Sequence, residues 1–136
     1  MGVSLLVVDA VIGHTPQKPA EITVRFGEKL LLIDTGMLAP VYSGKPYDSR
    51  LLTGCYLNSL TLAVENNLKT IAFPAISCGV YGYPIEAACK IAVDTTCSIL
   101  ETTPTLTRVV FMLFSPADLK VYEAYIQFLA KQHQTG

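Results

Sequence analysis

Apolar residues along this chain fall into short runs, each closed by glycine, proline or a polar cluster. Leu5 to Ile12 is apolar apart from Asp9, rich in β-branched residues and broken by Gly13, which predicts a buried strand. Ile22-Thr23-Val24-Arg25-Phe26 alternates in the manner of a strand, Gly27-Glu28 turns, and Lys29 to Ile33 reads as its neighbour. The stretch from Gly36 to Asp48 carries two glycines and two prolines and is long for a connection, a length that often accompanies function. Beyond it Leu52, Cys55, Tyr56, Leu60 and Ala63 recur at helical spacing. Asp48 or Ser49 can cap that helix, and Asn66-Asn67 ends it. Thr70-Ile71-Ala72-Phe73 is a short strand with apolar residues throughout, as a strand covered on both faces requires. A second helix carries the stripe Ile85, Ala88, Cys89, Ala92, Thr96 and Ile99. Arg108 to Phe114 is the most strand-like segment of the chain. Ser115 at the N-cap and Pro116 at the first helical position open a last helix, with Leu119, Tyr122, Ile126 and Leu129 on its expected buried face.

The second half thus alternates helix, strand, helix, strand, helix, the order of a layered α/β sheet. Strands without an intervening helix fill the first half, so the expected sheet is mixed. One domain over residues 1–136 is the expected organisation, since domains of ~100–150 residues are the commonest size. Composition narrows the function. With 51% hydrophobic and 15% charged residues the chain can bury a core, which excludes disorder. No apolar run approaches the ~18 residues of a membrane-spanning helix, so no membrane partner is expected. Ten basic and eleven acidic residues leave a net charge of −1, without the basic footprint of a DNA-binding protein. Met1 to Val8 lacks the basic start and cleavage site of a secretory signal. Cys55, Cys78, Cys89 and Cys97 form no C-x-x-C, and His14 stands far from His133, so no metal site is expected. The cysteines read as small hydrophobes of a reduced, cytoplasmic protein.

One segment carries candidate chemistry. Pro74-Ala75-Ile76-Ser77-Cys78-Gly79-Val80-Tyr81-Gly82-Tyr83-Pro84 follows a buried strand and leads into a helix, where open α/β sheets bind ligands. Gly79 and Gly82 allow a ligand to approach the main chain. Successive amides there, next to a helix N-terminus, suit phosphate oxygens. Tyr81 and Tyr83 offer flat surface for a sugar. The other reading is a tight turn whose tyrosines cover the core, and G-x-x-G spacing alone leaves both open. No G-x-G-x-x-G or Walker sequence is present. Cys78 could act as a nucleophile, but no phosphatase-like arginine follows it, and an unreactive thiol is the favoured reading.

Leu68 to Pro84, read as a whole (LKTIAFPAISCGVYGYP), resembles the core signature of macrodomains, the ADP-ribose-binding modules. Leu51-Leu52-Thr53-Gly54-Cys55-Tyr56-Leu57-Asn58-Ser59-Leu60 resembles the helix that precedes it in that family, and Val110 to Tyr122 resembles the final strand and helix. The resemblance covers Tyr47 to Leu129. It implies a three-layer α/β/α fold with a mixed sheet. It also implies that backbone amides of Ser77, Cys78, Gly79, Val80, Tyr81 and Gly82 hold the diphosphate of ADP-ribose. Tyr81 would then lie against the distal ribose and Phe114 would stack near the adenine, the other reading of Phe114 being a core aromatic. Cys78 stands where the family has Thr or Ser, which preserves a backbone role. No cofactor is implied.

The first half departs from that pattern. Val8-Asp9-Ala10-Val11-Ile12 resembles the strand that in macrodomains leads into Asn-Ala-Ala-Asn, but Gly13-His14-Thr15-Pro16 follows here. The glycine-rich loop and its helix, and the opening segment with the adenine-binding Asp, have no counterpart. Those segments carry the catalytic residues of hydrolase members, so the resemblance implies first the binding of ADP-ribose, a related nucleotide diphosphate-ribose or an ADP-ribosylated molecule through loop 75–83. The alternative is a hydrolase of ADP-ribosyl or O-acyl-ADP-ribose esters, for which His14, Asp9 and Asp34 are the titratable candidates. A third reading is a ligand-free interaction module that self-associates, its apolar residues from Val3 to Ile12 and Leu30 to Ile33 having lost their cover. The loop from Gly36 to Asp48 folding over that gap would serve instead.

Overall fold

The computed structural model describes residues 10–11, 22–25, 30–33, 49–76, 78 and 82–134. In chain order these form β1 (Ala10–Val11), β2 (Ile22–Arg25), β3 (Leu30–Ile33), α1 (Ser49–Glu65), β4 (Thr70–Phe73), α2 (Ile85–Thr102), β5 (Arg108–Phe111) and α3 (Pro116–Gln134). β4 is the central strand of a three-stranded parallel sheet ordered β1-β4-β5. The registers set Ala10 opposite Ile71 and Phe73 opposite Phe111. β2 and β3 form an antiparallel hairpin that pairs Ile22 with Ile33 and Arg25 with Leu30, and β3 lies next to β1. Parallel pairing on both edges explains why β4 is apolar throughout: Ile71, Ala72 and Phe73 are all buried. Of the strand expected over Leu5 to Ile12, only Ala10 and Val11 lie among the described residues.

α1 buries Leu52, Cys55, Tyr56, Leu60 and Ala63, the stripe its spacing predicts, and Ser59 with them. Its end is set by chemistry at two residues. Asn67 takes a left-handed conformation at φ 56°, which asparagine tolerates. The Leu68 amide then donates to the Ala63 carbonyl at 2.9 Å and the Asn67 amide to Val64 at 3.0 Å, a Schellman closure. Leu68 packs against the core in the same motif, so β4 starts from a fixed point.

Two expectations need correction. β5 stops at Phe111 instead of Phe114, because β4 runs out of pairing groups. The Met112 amide donates to the Phe73 carbonyl at 2.8 Å, and the next residue of β4's strand direction is Pro74, which has no amide to offer. On α3 the buried face is rotated from the expected one. Tyr122 is buried and Leu129 partly so, but Leu119 and Ile126 are 45% and 44% exposed, while Val121 and Tyr125 pack on the core. α3 leans on α2 as well as on the sheet, and that second contact turns its buried arc toward Val121 and Tyr125. At this junction the Lys90 ammonium donates to Asp94 at 2.7 Å and to the Tyr125 hydroxyl at 3.1 Å, and that hydroxyl donates to Asp94 at 2.7 Å.

Four aromatic rings run through the core from α1 to α3. Tyr56 meets Phe73 at 5.0 Å, Phe73 meets Phe111 at 6.4 Å, and Phe111 meets Tyr122 at 5.1 Å. These spacings fall within the range at which aromatic pairs attract beyond simple burial. The last residues of β4 and β5 are thereby locked side by side.

Candidate functional site

Because β4 and β5 are parallel and Phe73 pairs with Phe111, the chain leaves both strands at the same edge of the sheet. Pro74 to Cys78 issues from β4 and Met112 to Phe114 from β5. This is the carboxyl edge, where α/β proteins gather their ligands. Loop 74–78 begins as a tight turn: the Cys78 amide donates to the Ala75 carbonyl at 3.3 Å. Gly82, at φ 63°, then turns the chain toward α2, and its conformation favours glycine although a Cβ there would meet nothing within 4 Å. The requirement at this glycine is therefore backbone conformation and not room.

α2 follows directly. Pro84 precedes its first turn, and no side chain caps the amides there. Uncapped first-turn amides beside a glycine turn make a site of positive potential. α3 begins differently. The Asp118 amide donates to the Ser115 hydroxyl at 3.1 Å and the Leu119 amide to the Ser115 carbonyl at 3.1 Å, the cap that Ser115-Pro116 predicts.

Of the residues the sequence singles out, Cys78, Gly82 and Phe114 are described. Ser77, Gly79, Val80 and Tyr81 lie outside the described residues, as do His14, Asp9 and Asp34. Phe114 is 99% exposed, which removes the reading as a core aromatic. Tyr83 is buried with the core cluster and so offers no surface to a sugar. The Cys78 thiol is partly buried and donates to the Ile76 carbonyl at 3.5 Å. Burial, and secondarily Asp118, push its pKa up to about 11. A thiol held in this way is not a thiolate at neutral pH, so the nucleophile reading of Cys78 is unsupported. Among the described residues no group of three His, Cys, Asp or Glu could hold a metal ion, and no helix is long and apolar enough to cross a membrane. A groove of about 400 Å³ between α2 and α3, lined by Glu86, Cys89, Val121, Ala124, Tyr125 and Phe128, contains none of the expected site residues.

A strand–turn–helix edge on a parallel sheet defines an α/β class of protein, and known proteins were compared with it. Residues 28–92 match the model of the Macro domain. The chain is 45% identical over 87 residues to an O-acetyl-ADP-ribose deacetylase of an Enterobacter species, a match covering 63% of this chain and 48% of the relative. A Macro domain-containing protein of Chlorobaculum tepidum is likewise 45% identical over 87 residues, covering 63% of this chain and 51% of that one. The chain spans about half the length of these curated relatives. The Trypanosoma brucei macrodomain in complex with ADP-ribose superposes with a TM-score of 0.69 at 23% identity, over 88% of this chain and 64% of that one. A mutant of the Oceanobacillus iheyensis macrodomain with ADPR gives 0.65 at 31% identity, over 82% of this chain and 60% of that one. Residues 28–92 thus carry the Macro domain, and the α/β fold is that of the solved macrodomains.

Proposed function

We propose that this chain binds ADP-ribose, or a group ending in it, at the edge formed by loop 74–82 and Phe114. The observation that carries the reading is the common exit of the two parallel strands, which puts a glycine turn, uncapped helix amides and a fully exposed Phe114 on one edge. The amides of Ser77 to Gly82 take the diphosphate, Tyr81 the distal ribose and Phe114 the adenine face. An aromatic ring left in water at a ligand edge gains by stacking on a flat base. The relative solved with ADPR at 31% identity supports the ligand class. Amide chemical-shift mapping tests it: ADP-ribose should move Ile76, Cys78, Gly82 and Phe114, and leave Leu68 and Thr102 still. Shifts confined to the groove between α2 and α3 would contradict it.

A second reading, hydrolysis of ADP-ribosyl or O-acyl-ADP-ribose esters, is favoured by the Enterobacter relative named as a deacetylase. His14, Asp9 and Asp34 are its titratable candidates. Release of ADP-ribose from a modified substrate, lost in His14→Ala, is its test.

The whole chain, residues 1–136, is read as one unit of the cytoplasm, where its four free cysteines stay reduced. The side chains from Val3 to Ile12 and Leu30 to Ile33, on which the expectation of self-association rests, lie outside the described residues, and the exposed Met112 after β5 with Leu119, Ile126 and Phe128 of α3 also fits it.

A further inference from the structure

β5 has β4 on one side and, among the described residues, no strand on the other. Its backbone shows which groups that leaves over. The Arg108 amide donates to the Lys69 carbonyl at 3.1 Å and the Met112 amide to the Phe73 carbonyl at 2.8 Å, so Arg108, Val110 and Met112 turn toward β4. In a parallel strand the residues between them turn the other way. Val109 and Phe111 therefore aim their amides and carbonyls out of the sheet at its open edge. Such an edge is a template for another strand, and proteins blunt it with lysine, proline or a bulge. Val109-Val110-Phe111 carries neither charge nor proline, and its register against β4 is regular.

α3 overhangs the same edge. α2 joins β4 to β5 and packs against both α1 and α3. On α3, Val121 and Tyr125 face α2: the Cys89 thiol donates to the Val121 carbonyl at 3.9 Å, and Lys90 donates to the Tyr125 hydroxyl at 3.1 Å. Tyr122 faces the sheet, its ring 5.1 Å from that of Phe111. Continuing round the helix in that sense, Leu119 and Ile126 come next, roughly a third of a turn from the side that meets α2. This flank points away from α2 and β4, past β5, and both side chains are nearly half exposed.

We propose that β5 pairs antiparallel with β5 of a second copy about a twofold axis at Val110, which joins two three-stranded sheets into one. The proposal rests on the self-association put forward under Proposed function and gives it a place and a register. Val109 of one copy then faces Phe111 of the other as the kind of pair that exchanges both backbone bonds, so every group left over at the edge finds a partner. Val110 meets its own copy and Arg108 meets Met112, so no two arginines are opposed. With the axis normal to the sheet, both α3 helices stay on one face, and their Leu119 and Ile126 flanks turn toward each other. A foreign strand would satisfy the backbone groups; the second copy also brings an apolar flank to cover Leu119 and Ile126. The contact is isologous and closes at two copies.

The test is amide hydrogen exchange at two protein concentrations, with light scattering on the same samples. Where the mass is doubled, Val109 and Phe111 should exchange about fivefold more slowly than in the dilute monomer, the equivalent of one net hydrogen bond, and Arg108 and Met112 should not respond to dilution. Val109→Pro removes an amide that β4 does not use, a change an edge strand tolerates, and should return the mass to near 14.7 kDa. A doubled mass with unchanged exchange at Val109 and Phe111 overturns this interface and leaves self-association to another face. A mass near 14.7 kDa at every concentration removes self-association and this proposal together. Slow exchange at both residues in the monomer would mean that the chain covers its own edge, and also overturns it. Should Val109→Pro not fold, the wild type decides: in a mixture of labelled and unlabelled copies, a nuclear Overhauser effect between the Val110 Hα protons of the two copies supports the proposal, and its absence from a doubled mass overturns it.

Discussion

The ring of Tyr56 meets that of Phe73 at 5.0 Å with their planes tilted by 56°, so the centre of α1 rests on the last residue of β4. Both rings are completely buried, and Phe73 is also held by Phe111 from the neighbouring strand. Truncating Phe73 to Ala removes the middle of this row. Losses of ~3–5 kcal/mol are typical for such a change in a core. Denaturant unfolding of Phe73→Ala should show a loss of that order; one under ~1 kcal/mol would mean that the row is not the core.

Ser115→Ala removes the acceptor of the Asp118 amide at the start of α3. A loss of about 1 kcal/mol is expected, as for other N-cap replacements. Ser115→Asp should restore it, because its carboxylate accepts the same amide and faces the positive helix end. Equal stability of Ser115→Ala and the wild type would show that the cap contributes nothing.

Asn67 closes α1 with a positive φ. Replacement by Val, which resists this conformation, should cost on the order of 1–2 kcal/mol, whereas Gly should be tolerated. Thermal melts of both variants check the difference, and identical melting temperatures would contradict it.

Cys78 and Cys89 both have pKa values raised to about 11, burial being the first cause in each. Between the ordinary thiol value of 9.0 and about 11, the unfolded chain has released these protons and the folded one has kept them. Stability must then fall as pH rises through that window, and the contribution is fully present below it. Unfolding followed from pH 8 to 11 should show the decline, and Cys78→Ser with Cys89→Ala should reduce its slope, the remainder coming from Cys97, Tyr56 and Tyr122, whose pKa values burial also raises. A decline of the same slope in the double variant would assign it to other groups.

The exposed Leu119 and Ile126 lie one helical interval of seven apart on one flank of α3. If they meet a second copy, light scattering at micromolar concentration gives a doubled mass that Leu119→Lys with Ile126→Lys reduces to half. A mass near 14.7 kDa at every concentration contradicts self-association.

Much of the fold is legible where one residue type has one use. Asn66-Asn67 and Ser115-Pro116 mark helix ends because few residues tolerate a left-handed turn or cap an amide, and both marks fall where the structure has them. The strand over Thr70–Phe73 is legible because burial on both faces forces it to be apolar. The face of α3 is not. Leu119 and Ile126 have the same period as Tyr122 and Leu129, and only the position of α2 decides which stripe is covered. The end of β5 is hidden for a related reason, since apolar residues continue to Phe114 and it is Pro74, on another strand, that stops the pairing. In the site, the loop and Phe114 are visible as sequence.

The most direct test of the central claim is calorimetric titration of the chain with ADP-ribose, with Gly79→Glu as the paired control. A saturable heat at one ligand per chain, abolished by a carboxylate at the position proposed for the diphosphate, is the predicted result. Absence of heat at millimolar ligand, or equal affinity in Gly79→Glu, would contradict the assignment of this edge as a nucleotide site.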